Sequence, residues 1–385
     1  MALDAVAKTC TLMALCLENI GVMRYEEFIS IIISLDYTQP LSDEHVTVTD
    51  TAFVDIPVRL YLPKRKSEAP RRAVIYFHGG GFCFGSFTAE EQTAFDFLNR
   101  WTANKLDAVV VGIDYRLAPK YHFPAQFEDG ITAVKYFLQD KILTKYGVDP
   151  SRIAISGDSS GGTLAAAVTQ QLTNFEISQP QHSVQVHTDS EVKHKFKLQA
   201  LLYPGLQVID TSLPSHRDNQ HGIVLTRDIA IKLVSLFFTK DEALLQAMRK
   251  NQHMPLESKH LFRFVNWSTL LPDKYRKDHV YTEPVLGRSA YSLPALMDHR
   301  ALPLLADDAQ LQHLPQTYIL TCQYDVLRDD GIMYVSRLQN VGVPVFHDHV
   351  ENGIHGALSY MTSPLYLQLG LRIKDMYISW LDKNL

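Results

Sequence analysis

The chain has 385 residues, 46% of them apolar and 21% charged, and its 37 basic and 42 acidic side chains leave a net charge of −5. With 19 glycines and 18 prolines, both near average usage, this is ordinary globular composition, which excludes intrinsic disorder, collagen-like repeats and long coiled coil. The mildly acidic balance argues against a nucleic-acid partner, because binding phosphates needs an excess of Lys and Arg to displace counterions.

Two helical patterns come first, Leu3 to Met23 and Tyr25 to Ser34. Their longest apolar stretches, Thr9 to Leu17 and Phe28 to Leu35, fall short of the roughly 18 to 20 residues that cross a bilayer. The first follows Lys8 as a signal-peptide core would, but no small-x-small cleavage site follows, and Glu18 and Asn19 continue an amphipathic helix. Strand-like alternation follows in His45 to Asp50 and Phe53 to Tyr61, ended by Pro63 and a basic stretch, Lys64 to Arg72, that reads as a solvated turn. Six short apolar runs then read as buried parallel strands: Ala73 to Phe77, Ala108 to Ile113, Ile153 to Ser156, Leu198 to Tyr203, Thr317 to Thr321 and Pro344 to His349. Helical patterns separate them, among them Glu90 to Ala103, Phe127 to Tyr146, Leu164 to Leu172 and Gly331 to Asn340, and a last one near Leu367 to Leu381 closes the chain. Strand and helix in this rhythm predict an α/β fold, a mostly parallel central sheet with helices on both faces. The rhythm breaks between about Gly205 and Pro315, which reads as a helical cap inserted at the sheet edge, and Phe175 to Lys195 reads as an exposed polar loop. Four scattered cysteines make no disulfide framework, and no C-x-x-C points to zinc.

The chemistry concentrates at Gly157-Asp158-Ser159-Ser160-Gly161-Gly162, where a strand pattern meets a helix pattern. In a nucleophile elbow the residues two before and two after the serine must be small so that strand and helix can approach, and Gly157 and Gly161 satisfy this for Ser159 alone. A G-x-S-x-G string by itself is weak, but upstream the strand ending at Phe77 runs into His78-Gly79-Gly80-Gly81, a loop suited to donate backbone N–H groups to an oxyanion. Gly79, Gly80 and Ser160 are the expected donors, and His78 is expected to hold the loop in shape rather than act as the base. A hydroxyl needs a histidine to take its proton and an acid to orient that ring, in the chain order Ser, acid, His. Asp325 comes first after the strand Thr317 to Thr321, and His355 lies in a glycine-flanked loop after the last strand. Asp329 and Asp330 begin the next helix, where capping and the helix dipole account for them. Among 16 histidines, His347 and His349 share a strand face but lack a third ligand, so no metal site is assigned.

Four ordered motifs carry a resemblance: His78-Gly79-Gly80-Gly81, Asp114-Tyr115-Arg116-Leu117-Ala118-Pro119, Gly157 to Gly162, and Tyr324-Asp325-Val326-Leu327-Arg328-Asp329. Together the chain resembles the hormone-sensitive-lipase branch of the α/β-hydrolases and, within it, the arylacetamide deacetylase family, over its whole length. The resemblance implies an α/β-hydrolase fold with cap helices at 1–44 and a catalytic domain at 45–385, interrupted by a cap insertion at about 206–290. It implies hydrolysis of small-molecule esters, or of arylacetamides, without a cofactor, by Ser159, Asp325 and His355 with an oxyanion motif at His78, Gly79, Gly80 and Gly81. It further implies a disulfide between Cys83 and Cys322, a secretory-pathway location where Asn266-Trp267-Ser268 is a glycosylation sequon, and membrane association through an anchor upstream of this chain. Thr163 stands where relatives have Asn. Phe82, Phe84 and Phe237 are candidates for the acyl pocket.

Two other readings compete. A non-catalytic binding protein on the same fold would not need His355. A chymotrypsin-like protease would need an all-β chain and the order His, Asp, Ser, the reverse of what stands here.

Overall fold

The short apolar runs form strands because each is covered on both sides. In the computed structural model, which describes residues 2–34, 42–86, 94–177, 194–277, 279–288, 293–362 and 366–385, the strands are β1 (Val46–Phe53), β2 (Ile56–Pro63), β3 (Arg71–Phe77), β4 (Ala108–Ile113), β5 (Val148–Asp158), β6 (Leu198–Leu202), β7 (Gln316–Tyr324) and β8 (Val345–Ile354). They make one sheet in the order β1-β2-β4-β3-β5-β6-β7-β8. The strands from β3 onward pair in parallel, and the β1–β2 hairpin joins β4 antiparallel.

Helices α1 (Ala2–Asn19) and α2 (Tyr25–Ser34) precede the sheet, and α3 (Ala94–Leu106), α4 (Ala125–Phe137), α5 (Asp140–Tyr146) and α6 (Ser160–Ile177) alternate with strands. Between β6 and β7 the described residues hold α7 (Pro214–Asp218), α8 (Arg227–Phe238), α9 (Glu242–Arg249), α10 (Trp267–Leu270), α11 (Asp273–Arg276), α12 (Asp308–Leu311) and short 3₁₀ stretches, with no strand among them. After β7 comes α13 (Arg328–Asn340), and after β8 comes α14 (Gln368–Asn384). The side chains of each strand divide between two cores. Ala73, Ile75 and Phe77 of β3 pack with α4, α5, α6 and α13, whereas Val74 and Tyr76 pack with α3 and α14. Burial on both faces explains the unbroken apolar runs, and each fully buried Val, Ile or Leu contributes about 1.5–3 kcal/mol.

The chain leaves β3 for β4 on one side and later returns to β5 on the other, so a crevice opens at the carboxyl ends of β3 and β5. Over it lies a layer drawn from two distant parts of the chain. Ala14 of α1, Tyr25 of α2, and Ile229 and Leu233 of α8 pack together with Cys83 and Phe84 from the loop after β3. Lys232 of α8 pairs with Glu18 of α1 and lies 5.0 Å from the centre of the Tyr25 ring.

Some boundaries differ from the sequence expectation. Phe53 ends β1 rather than starting β2, because the hairpin turns at Val54 and Asp55, with Val54 at a φ of 60°. The last strand continues past His349 through Glu351, Asn352 and Gly353 to Ile354, so His355 follows the strand directly. The basic stretch is tied down by acids: Arg65 and Arg71 reach Asp107 at 2.9 and 3.2 Å, and Arg72 reaches Asp382 at 2.7 Å. The start of the expected helix at Glu90 and most of the expected loop Phe175 to Lys195 lie outside the described residues. Among the described residues no helix is long and apolar enough to cross a membrane.

The disulfide implied by resemblance is not formed. Cys83 and Cys322 are both buried free thiols, and they sit in different cores, Cys83 under the α1, α2 and α8 layer and Cys322 against Tyr203, Val350 and Ile354. Burial pushes the Cys322 thiol, like that of Cys83, well above the ordinary range, as expected of inert structural cysteines.

Candidate active site

Strand β5 ends at Asp158 and helix α6 begins at Ser160, leaving Ser159 alone at the corner with a φ of 52°, a backbone conformation that β-carbon crowding makes costly. The flanking glycines make the corner possible. A Cβ on Gly157 would collide with the carbonyl of Gly161, and one on Gly161 with the carbonyls of Phe77 and His78. The strain lifts the Ser159 hydroxyl out of the sheet, where Oγ lies 2.9 Å from Nε2 of His355. On the other side of that ring, Nδ1 lies 2.8 Å from Oδ2 of Asp325. A carboxylate only accepts, so the partners assign the ring hydrogen to Nδ1 and leave Nε2 to accept from the serine. The second carboxylate oxygen, Oδ1, accepts from the Leu327 amide at 2.8 Å. The Tyr203 ring packs edge-on against the imidazole, with centroids 5.0 Å apart. Asp325 is 1% exposed, His355 7% and Ser159 9%, so the three form a buried chain whose acid end is the deepest.

The loop after β3 forms the facing wall. His78 is fully buried, stacks on Tyr115 with centroids 4.3 Å apart, and donates from Nδ1 to the Gly79 carbonyl at 2.7 Å. Burial lowers its pKa to about 4, which keeps the ring neutral. The Tyr115 hydroxyl donates to the His78 carbonyl at 2.7 Å. These bonds fit a loop-holding role. Gly79, expected as an oxyanion donor, is not available for one: its amide donates to Oδ1 of Asp158 at 2.9 Å. The amides of Gly80, Gly81 and Ser160 make no hydrogen bond to other described groups of the protein, Ser160 because it opens α6, where first-turn amides have no partner within the helix. Gly80 and Gly81 have φ values of 116° and 60°, which turn the loop toward the serine. The Ser160 hydroxyl accepts from the Phe82 amide at 3.2 Å and ties the two walls together.

Two residues near the site, Asp158 and Asn219, hold positions the sequence reading did not give them, and a third, Phe82, is one of its acyl-pocket candidates. Asp158, to which the elbow spacing gave no role, accepts from both Gly79 and the Tyr76 hydroxyl, the latter at 2.7 Å, and burial pushes its carboxyl up to about 6. Phe82, at a φ of 63°, stacks on Phe237 of α8 with centroids 3.9 Å apart. Asn219, at the end of α7, donates to the carbonyl of Asp325 itself. Asp329 and Asp330 do not cap α13 as expected. Both are fully buried, with Asp329 accepting from Ser215 and Asp330 from Leu206 and Gln207. Thr163 donates to the carbonyls of Ser159 and Gly205. Asn266 caps the start of α10, its Oδ1 accepting from the Ser268 amide at 3.1 Å and the Ser268 hydroxyl at 2.6 Å. His347 and His349 both bind the Thr321 hydroxyl, and no group of three metal-ligating side chains converges among the described residues.

A strained serine between a parallel strand and a helix, facing a glycine loop and backed by His and Asp, defines the class of α/β hydrolases, and a family model described as the alpha/beta hydrolase fold matches residues 74–255 and 246–359. Within that class the chain belongs to the arylacetamide deacetylase family. It is 74% identical over 385 residues to arylacetamide deacetylase-like 2 of Homo sapiens, spanning 100% of this chain and 92% of the relative. It is 53% identical to arylacetamide deacetylase of Mus musculus over 96% of this chain and 88% of that one. Neutral cholesterol ester hydrolase 1 of Bos taurus is 40% identical over 100% and 92% of the two chains. Among solved structures, a bacterial heroin esterase superposes with a TM-score of 0.64 at 22% identity, covering 93% of this chain and 89% of that one, a likeness of fold.

Proposed function

We propose that this carboxylic ester hydrolase works through an acyl-enzyme on Ser159, with His355 as base and Asp325 as the acid that orients it. The observation that carries the reading is the unbroken hydrogen-bond chain from Ser159 through His355 to Asp325, at 2.9 and 2.8 Å, opposite amides that have no other partner among the described residues.

As Ser159 Oγ bonds to the ester carbonyl carbon, its proton passes to Nε2 of His355 and the carbonyl π pair moves onto oxygen. That oxygen accepts from the amides of Gly80, Gly81 and Ser160, each well-aimed donor being worth about 3–4 kcal/mol of barrier. Collapse re-forms the carbonyl and expels the alcohol, which takes the proton from Nε2. Water then attacks the acyl-enzyme, gives a proton to Nε2, and Ser159 leaves with it, releasing the carboxylic acid. Asp325 stays ionised throughout and holds the ring in the tautomer that starts the cycle. The names of the relatives, an arylacetamide deacetylase and a cholesterol ester hydrolase, support apolar esters or arylacetamides as substrates. The aromatic group of Phe82, Phe123, Phe237 and Phe238 beside the oxyanion loop supports the same preference. In a purely binding protein the close approach of Ser159 to His355 would have no role.

A fluorophosphonate should label Ser159, and Ser159→Ala should abolish both labelling and ester hydrolysis, whereas Ser160→Ala, which keeps its backbone amide, should lose less. Parent-like hydrolysis by folded Ser159→Ala would refute the assignment.

A further inference from the structure

Before the cap insertion passes over the site, residues 206–219 run along the turn that carries Asp325. The contact is dense and buried. Asn219, 8% exposed, donates from Nδ2 to the carbonyls of Asp325 and Gln323 at 3.1 and 3.3 Å. The Ser215 hydroxyl donates to the Val326 carbonyl at 2.8 Å, and the Ser215 amide to Oδ2 of Asp329 at 2.6 Å. One residue further along, Asp330 accepts from the Leu206 amide and from Nε2 of Gln207, both at 2.9 Å. Asn219 is itself fixed in place, its amide donating to Ser215 and its carbonyl accepting from Gly222.

The carboxylate of Asp325 has one oxygen on His355 and the other on the Leu327 amide, so its direction is set by the backbone of the turn. Within that turn the carbonyls of Gln323, Asp325 and Val326 all take their side-chain donors from α7 and its end. We propose that Asn219 and Ser215 are positioning residues for catalysis, through which the root of the cap insertion holds the acid turn and so aims His355 at Ser159. This rests on the triad reading above. Seating of the cap and alignment of the triad are then one event, because the same short helix serves both.

The test is a mutant cycle. Asn219→Leu, which keeps volume and removes both donors, and Ser215→Ala are each made in the parent and in Asp325→Asn, and kcat and KM are measured with p-nitrophenyl butyrate on proteins shown to be folded by circular dichroism. Asn219→Leu should lower kcat about tenfold, the effect of one hydrogen bond's worth of alignment, with KM within about twofold. Ser215→Ala should lower kcat about threefold by the same reasoning. In the Asp325→Asn background neither should cost more than about twofold further, since residues that act through one group are not additive. Equal losses in both backgrounds, a change in KM alone, or parent-like kcat in the folded variants would overturn the proposal while leaving the triad standing. If Asn219→Leu does not fold, Ser215→Ala decides the matter by the same cycle. Parent-like kcat in Asp325→Asn alone would instead bring down the triad reading, and this inference with it.

Discussion

Asp158 places a charge that can be titrated next to Ser159, and its consequences can be worked out. Its carboxyl is fully buried, which pushes it up from the ordinary 3.8 to about 6 against the opposing pull of the Tyr76 hydroxyl and the Gly79 amide. The folded protein therefore holds this proton more tightly than the unfolded chain. Between pH 3.8 and about 6 the folded state binds more protons than the unfolded one, so this group's contribution to stability falls as pH rises through that window. Below it both states are protonated. Above it the ionised carboxylate carries its full cost, which at 1.36 kcal/mol per tenfold comes to about 3 kcal/mol. Asp158→Asn keeps an oxygen for Gly79 and Tyr76 but has no charge to bury. Relative to the parent, the variant should therefore gain about 3 kcal/mol of unfolding free energy between pH 3.5 and pH 8, nearly all of it below pH 7. Urea unfolding of both proteins at half-unit steps of pH, extrapolated to water, measures that difference. A difference that stays flat with pH, or that moves toward the parent as pH rises, would refute the account of a carboxylate ionised at a cost to hold the loop after β3.

Gly161→Ala puts a Cβ against the carbonyls of Phe77 and His78, which are backbone and cannot swing aside as a side chain would, so it should give little folded protein and no fluorophosphonate labelling. A parent-like melting temperature would contradict this. Thr163→Val keeps shape but leaves the Gly205 carbonyl without its side-chain donor, for a loss of about 1–2 kcal/mol in urea unfolding. The rate of Ser159 labelling should stay within about twofold of the parent, because the triad does not depend on that hydroxyl; a larger loss would mean that Thr163 takes part in aligning the elbow.

What could be read from the residues follows from how local the causes are. The strands of the central sheet were legible because burial on both faces leaves runs such as Val109-Val110-Val111 with no polar interruption, and the elbow because its glycines are required at fixed spacing from Ser159. The end of β8 was not legible. Glu351 and Asn352 look like loop residues, yet they sit exposed on the edge strand of the sheet, where polar side chains suit a face left to solvent.

Inside the site the limit is one of distance along the chain. A donor is available to an oxyanion only if nothing else takes it, and the acceptor that takes the Gly79 amide lies 79 residues away at Asp158, beyond the reach of any spacing rule. Two acids at the start of a helix look the same whether they cap it or point away from it, and only the packing of residues 206–219 against α13 makes Asp329 and Asp330 anchors for that segment. The same reasoning explains why the proposed triad was easier to find than the groups packed around it. Ser159, Asp325 and His355 each sit at the end of a strand, where parallel sheets of this topology gather their chemistry, so chain order alone narrowed the choice. Asn219 follows a five-residue helix in a region with no strand among its described residues, and it meets Asp325 at a backbone carbonyl, which carries no sequence signal.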